Sequence, residues 1–352
     1  CETLVKHPVR EGVWACGVCD HAPALSFDDS ESYTMAPITV GPGRTVSFSM
    51  REPDLMLFAS QRKGQYMKLY KSDDLGKTGR VVWDRKGDNF IQDIKEDPLV
   101  PGRFWAYMEG NIIAKTEDET SAGIYMSNDY GENWEKVCNP CWGNIATLPA
   151  EEFQIDKDLT PIVNHQRKNG CGTGQMIALD PFKKDVIYVG EWTEGVFRSD
   201  NAGKSWVKIS NKLPFDKKRN SVLSLVYADP YRSGVIYAGF WNGGLWKSEN
   251  YGLSWSKIKP FGKKKYNASS MSISRDENGR SLMVLACSNH PLGDTPVQLL
   301  ISTDEGNEWT DIYDSSLGCL RWISVVADAK KQRIHTATAG SGIFYFDIID
   351  NQ

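Results

Sequence analysis

An octet of the form Ser-x-Asp-x-Gly-x-x-Trp recurs along this 352-residue chain and limits what the chain can fold into. It is complete from Ser127 to Trp134 and from Ser302 to Trp309. It keeps its Ser, Gly and Trp spacing from Ser199 to Trp206 and from Ser248 to Trp255, and is relaxed from Ser72 through Gly76 to Trp83. Each copy follows a short β-prone run, such as Gly195-Val196-Phe197-Arg198 before Ser199, and precedes another. The octet therefore reads as a hairpin turn. An acidic side chain accepts from turn amides, the glycine permits a left-handed backbone, and the tryptophan packs between neighbouring sheets. On this reading Asp200 and Trp206 are structural residues.

A second phrase lies upstream of each octet. Ile177-Ala178-Leu179-Asp180-Pro181 precedes Val186 to Gly190, and Leu225 to Pro230 precedes Val235 to Gly239, with weaker versions around Asp97-Pro98, Asp276 and Asp328. Each unit reads strand, Asp turn, strand, loop, strand, octet, strand, which is one four-stranded propeller blade. The expected fold is all-β, a single β-propeller domain over residues 1–352. Six blades are counted, at residues 43–86, 88–137, 172–210, 220–258, 268–314 and from Leu320 to Asp347. The last unit lacks an octet, so the segment from Leu4 to Trp14 is expected to supply its fourth strand and close the ring without an exposed sheet edge. Seven blades are the alternative, should Cys16 to Thr39 or the stretch 138–171 form a degenerate one.

No apolar run is long enough to cross a membrane as a helix. The eight cysteines favour an oxidising compartment, hence a secreted or extracellular protein, with lipid anchoring through Cys1 on a bacterial surface as the alternative. Cys16-Gly-Val-Cys19 and Cys138-Asn-Pro-Cys141 lie too far apart for a zinc ribbon, so disulfides stapling the insertion 138–171 are expected instead. No cofactor and no metal site are expected, structural calcium alone being left open, and the protein is expected to be a monomer. Asn267-Ala268-Ser269 is the one N-glycosylation sequon.

The octets and their units resemble the Asp-box, or bacterial-neuraminidase repeat, of sialidases, xyloglucanases, sortilin-type propellers and propeller polysaccharide lyases. The resemblance implies substrate binding on the face opposite the octets, where second strands turn into third strands and where blades connect. Arg44, Arg219 and Arg321 fall near the entrances of inner strands there. His165 and Arg167 lie in the insertion, and Glu191, Trp192, Trp241, Tyr266 and His290 lie on or near the same loops. These loops are rich in cations in a chain whose net charge is only -4, which points to an anionic ligand. An arginine fork matches a carboxylate, as in the arginine triad of sialidases, although their Phe/Tyr-Arg-Ile-Pro segment is absent. No phosphate-binding glycine loop, His-Glu-x-x-His helix or Gly-x-Ser-x-Gly elbow occurs, and no nucleic-acid partner is expected.

The expected function is degradation of an acidic, uronate-containing polysaccharide or oligosaccharide by β-elimination. Arginine would neutralise the uronate carboxylate, and His165, Tyr266 or His290 would remove the neighbouring proton. Arg44, Arg219, Arg321, Arg167, Trp192, Trp241 and Glu191 form the substrate-binding set, the two tryptophans as stacking platforms. The alternatives are a sialidase-like or other glycoside hydrolase with two facing carboxylates, and a non-catalytic propeller that binds glycan or peptide.

Overall fold

The computed structural model describes residues 3–18, 21–38, 43–61, 67–85, 90–109, 123–138, 175–191, 195–210, 213–214, 223–259, 266–288, 297–317, 322–338 and 342–348, with backbone alone at 44, 61, 85, 90, 109, 138 and 317. Seven antiparallel sheets follow one another along the chain. The first holds β1 (Thr3–Lys6), β2 (Trp14–Gly17), β3 (Ala24–Ser26) and β4 (Thr34–Met35). The second holds β5 (Gly43–Phe48), β6 (Met56–Gln61), β7 (Met67–Ser72) and β8 (Arg80–Arg85). The third holds β9 (Phe90–Glu96), β10 (Phe104–Glu109), β11 (Gly123–Ser127) and β12 (Glu135–Cys138). In the fourth are β13 (Ile177–Leu179), β14 (Ile187–Glu191), β15 (Gly195–Ser199) and β16 (Val207–Lys208). In the fifth are β17 (Leu223–Ala228), β18 (Ile236–Phe240), β19 (Gly244–Ser248) and β20 (Ser256–Lys257). The sixth comprises β21 (Ala268–Arg275), β22 (Ser281–Cys287), β23 (Gln298–Ser302) and β24 (Thr310–Asp311). The seventh comprises three described strands, β25 (Trp322–Asp328), β26 (Arg333–Thr338) and β27 (Ile343–Asp347). Among the described residues no helix is long and apolar enough to cross a membrane.

The count of six blades is therefore corrected to seven. The N-terminal strand does not complete the last sheet. It pairs with β2 from Thr3 opposite Gly17 to Lys6 opposite Trp14, and so founds a blade of its own. This blade is hard to see in sequence because other residues play its two marker roles. In the Asp-Pro turns, Asp180 Oδ1 accepts the N–H groups of Phe182 and Lys183. In the first blade, His7 Nδ1 accepts those of Val9 and Arg10. Its octet runs from Ser26 to Tyr33: Ser26 Oγ donates to Asp28 Oδ1 and accepts Ser30 N–H, while Asp28 also accepts the N–H and hydroxyl of Ser32. The same net ties Ser72, Asp74, Gly76 and Thr78 in the second blade. Ser30 holds the left-handed φ of 73° that glycine holds elsewhere, and its hydroxyl meets Tyr33 Oη at 2.7 Å.

Copies four and five carry asparagine at the third position. Asn201 Oδ1 takes the Ser199 hydroxyl and the Ser205 N–H, whereas Asp200 is exposed and faces Arg198 at 2.9 Å. The turn acceptor is thus Asn201, and the structural role expected of Asp200 is corrected. Asn201→Ala should lose about 1–2 kcal/mol of stability in urea unfolding, while Asp200→Ala should stay within about 0.5 kcal/mol of the parent. Equal losses for Asp200→Ala and Asn201→Ala would contradict this assignment. The octet glycine also wedges against the preceding blade. Gly203 has φ 79°, and a Cβ there would come within 2.3 Å of Val137 Cγ1. Gly203→Ala is expected to cost about 2 kcal/mol from strain and overpacking together. An unshifted melting temperature would refute it.

Each first strand packs on the first strand of the next sheet, and β25 packs on β1, which closes the ring. The core lies between blades: Trp105, Tyr188 and Val226 share one cluster across the third, fourth and fifth sheets, and Leu4, Trp14 and Ala337 share another across the first and seventh. First strands have a free edge at the axis, and side chains of neighbouring blades satisfy it. Ser270, Ser272 and Ser274 alternate along β21, and their hydroxyls accept the N–H groups of Val325, Ala327 and Ala329 at 3.2, 3.1 and 3.1 Å. Asp93 Oδ2 accepts the N–H groups of Met176 and Ile177. Gln175 passes its carbonyl to Val226 N–H and forms two bonds with the backbone of Met271, binding the fourth, fifth and sixth blades.

Candidate functional site

The octets and the Asp turns join strands at one end of each blade, so first strands enter the ring from the opposite face. A bulge recurs at that entrance in five blades. It isolates Arg44 on β5, Gln92 on β9, Ser224 on β17, Ser269 on β21 and Ile323 on β25. Bulges bend a strand and re-aim a side chain, so these positions define the mouth of the ring. Arg44 lies there by its backbone position, as its place near an inner-strand entrance requires.

The mouth of the fifth to seventh blades is framed by polar groups. Asn267 Oδ1 accepts Asn242 N–H at 2.6 Å, and Asn267 Nδ2 donates to the Ser288 carbonyl at 3.0 Å. Ser269 Oγ donates to the Ala286 carbonyl at 2.9 Å and meets Ser288 Oγ at 3.0 Å, and Ser288 Oγ donates to the Trp322 carbonyl. A network committed internally in this way is a rigid rim on which ligand-binding loops can be held. It also consumes the sequon, since Asn267 is 1% exposed and Ser269 is fully buried.

Two sequence expectations change here. Tyr266 is 1% exposed, its hydroxyl donates to the Ile258 carbonyl at 2.7 Å and accepts Leu245 N–H at 2.9 Å. Burial raises its pKa, so the phenol stays neutral and tied into blade five rather than free to take a proton from a sugar. Trp241 is 4% exposed and cannot serve as a stacking platform. It precedes Asn242, whose φ is 57° and whose N–H donates to Asn267 Oδ1. Glu191 closes β14 opposite Gly195, at the mouth end of the strand, and is 9% exposed. By strand register Glu109 ends β10 one position beyond the equivalent of Glu191. Arg167, Arg219, Arg321, His165, His290 and Trp192 lie outside the described residues, as does most of the insertion 138–171.

Among the described residues no cluster of histidine, cysteine and carboxylate groups could hold a metal ion. Cys16 is disulfide-bonded. Cys287 is a buried free thiol raised well above its usual range by burial, so not every cysteine is paired. The rim was missed in sequence because its residues are small and the one motif among them, the sequon at Asn267, points to a surface loop rather than to a buried network. The density of hydroxyls in Asn267-Ala-Ser-Ser-Met-Ser-Ile-Ser was the available signal.

Residues 194–342 match the family model described as sortilin, neurotensin receptor 3. A xyloglucanase from a Paenibacillus species is 27% identical over 188 residues, which is 52% of this chain and 16% of that protein. The solved xyloglucanase of Xanthomonas campestris superposes with a TM-score of 0.71 at 16% identity, over 99% of this chain and 52% of its own. The chain thus spans about half the length of that enzyme. YCF48 bound to D1 peptide superposes with a TM-score of 0.61 at 12% identity, over 99% of this chain and 93% of its own. The chain is a seven-bladed β-propeller whose repeats resemble those of glycoside-hydrolase propellers.

Proposed function

We propose that this propeller is a carbohydrate-active unit of glycoside-hydrolase type, binding a polysaccharide across the bulged mouth of the ring. The observation that carries this reading is the sequence relationship to a xyloglucanase over half of the chain. The chemistry at the mouth is compatible with it. Glu191 stands at the rim as one carboxylate, and hydrolysis of a glycosidic bond requires a second one facing it. Glu109, whose backbone ends the corresponding strand of the preceding blade, is among the carboxylates the sequence offers for that role. Neither β-elimination nor an acidic substrate draws support from these relatives, and the loss of Tyr266 as a base removes one of the three groups on which elimination depended. The test is a panel of neutral and acidic polysaccharides, xyloglucan included, with mass spectrometry of the products. Hydrolysis adds one water per bond cleaved. An unsaturated product lacking that water and absorbing in the ultraviolet would establish elimination instead.

A second reading is a non-catalytic propeller that binds a peptide or glycan. It rests on the match to nearly the whole length of a propeller solved with a peptide. Saturable binding of an oligosaccharide or peptide with no product from any substrate would select it.

A further inference from the structure

Six of the seven blade junctions are crossed by the polypeptide, because the fourth strand of one sheet leads into the first strand of the next. Among the described residues the junction between the seventh sheet and the first is crossed by no connecting segment. It is held by Leu4, Trp14, Cys16, Ala24 and Ala337 and by ion pairs, among them Lys6 with Asp328 at 2.5 Å and Lys331 with Asp29 at 2.7 Å. His335 of β26 lies in this junction with its ring centroid 3.9 Å from that of Trp14 on β2. It is fully buried, and neither Nδ1 nor Nε2 has a hydrogen-bond partner.

We propose that the junction between the first and seventh blades is an acid-sensitive latch, with His335 as its trigger. As a neutral aromatic, His335 packs between the rings of Trp14 and Tyr345, at centroid distances of 3.9 and 6.1 Å. As an imidazolium it would carry two N–H donors into a site with no acceptor for either. Carboxylates are near but committed. Asp29 is engaged by Lys331 and by Trp14 Nε1, and Asp328 by Lys6. Arg333, on the same strand, pairs with Asp347 and opposes a second positive charge, as does Lys6. Glu31 faces Arg333 at 3.6 Å and Tyr345 Oη at 3.4 Å, away from the ring nitrogens. The face of Trp14 attracts a cation and offsets part of the cost.

Burial outweighs the attraction of Asp29 and Asp328 and holds His335 down to about 4. In an open junction the imidazole would return to its ordinary value near 6.5 and bind the proton more readily. The closed junction is therefore at full strength at neutral pH, weakens as pH falls from about 6.5 to about 4, and loses nothing further through this group below that. At about pH 4.5 the ratio of open to closed junction should exceed its neutral value on the order of 10²-fold.

Hydrogen exchange followed by mass spectrometry, on the protein with its disulfides intact, reads this out. After correction for the intrinsic pH dependence of exchange, peptides covering β1–β4 and β25–β27 should gain tens-fold more exchange between about pH 7 and about pH 4.5 than peptides covering β17–β22. The excess should vanish in His335→Phe, which keeps an aromatic ring and cannot be protonated. An excess that persists in His335→Phe, or its absence in the parent, overturns the proposal. Should that variant fail to fold, the parent decides alone: a His335 resonance that titrates in the folded protein at or above about 6.5 is equally fatal.

Discussion

On the glycoside-hydrolase reading, Glu191→Gln is expected to lower polysaccharide cleavage at least about 10²-fold in a protein that still folds. Glutamine keeps the volume and the planar head of glutamate, and the backbone of residue 191 remains paired with Gly195 at the end of β14. What is lost is a group able to give or take a proton, or to carry negative charge beside a developing oxocarbenium ion, and loss of an acid or base of this kind costs about 10²–10⁴ in rate. The loss should appear in kcat and in kcat/KM alike, because a group that acts only in the transition state contributes little to ground-state binding. Unchanged kcat with a lowered melting temperature would make Glu191 a packing residue and move the search to other carboxylates of the mouth. Weakened binding by a protein that shows no turnover would transfer Glu191 to the binding reading.

The triple replacement of Ser270, Ser272 and Ser274 by alanine should remove about 3–6 kcal/mol from the stability of the ring. Two hydroxyls accept backbone N–H groups of β25 and the third accepts that of Ala329 just beyond it, along an axial edge with no partner strand among the described residues, and Ser270 and Val325 are buried. Alanine offers no acceptor, so each N–H is left to the desolvation penalty of an unmade bond, about 1–3 kcal/mol. Neighbouring losses are not strictly additive, since one small shift of β25 relieves or worsens all three. Against a total stability of about 5–15 kcal/mol the change is large. It should appear as a lower urea midpoint and as faster proteolysis at the sixth and seventh blades. A triple variant within about 1 kcal/mol of the parent would mean that water already serves these amides.

What the sequence discloses tracks how local each constraint is. The octets were legible because turn geometry is set within eight residues: a hydroxyl, a side-chain acceptor and a left-handed glycine must recur at fixed spacing, and five blades state them openly. The first blade was legible only as the alternative of a degenerate seventh blade over Cys16 to Thr39, for the same physical reason. His7 can accept turn amides as an aspartate does, and Ser30 adopts a glycine conformation beside Tyr33, so equivalent hydrogen bonds arise from unlike letters. Asp200 was misjudged because two adjacent polar residues compete for one acceptor position, and only the register of the turn selects Asn201.

The mouth was legible only in outline. Topology places Arg44 and Glu191 at one face, yet the burial of Trp241 and the double hydrogen bond of Tyr266 depend on Asn267, Ile258 and Leu245, brought together by the folding of separate strands. By itself the sequence determined the strand-and-turn grammar and the all-β class, since these follow from short-range backbone chemistry repeated along the chain. The number of blades, the ring-closing contact of β1 with β25, the serine ladder and the isolation of His335 were decided by tertiary structure alone. Each depends on which strand edges meet across the axis, and residues more than three hundred positions apart settle that.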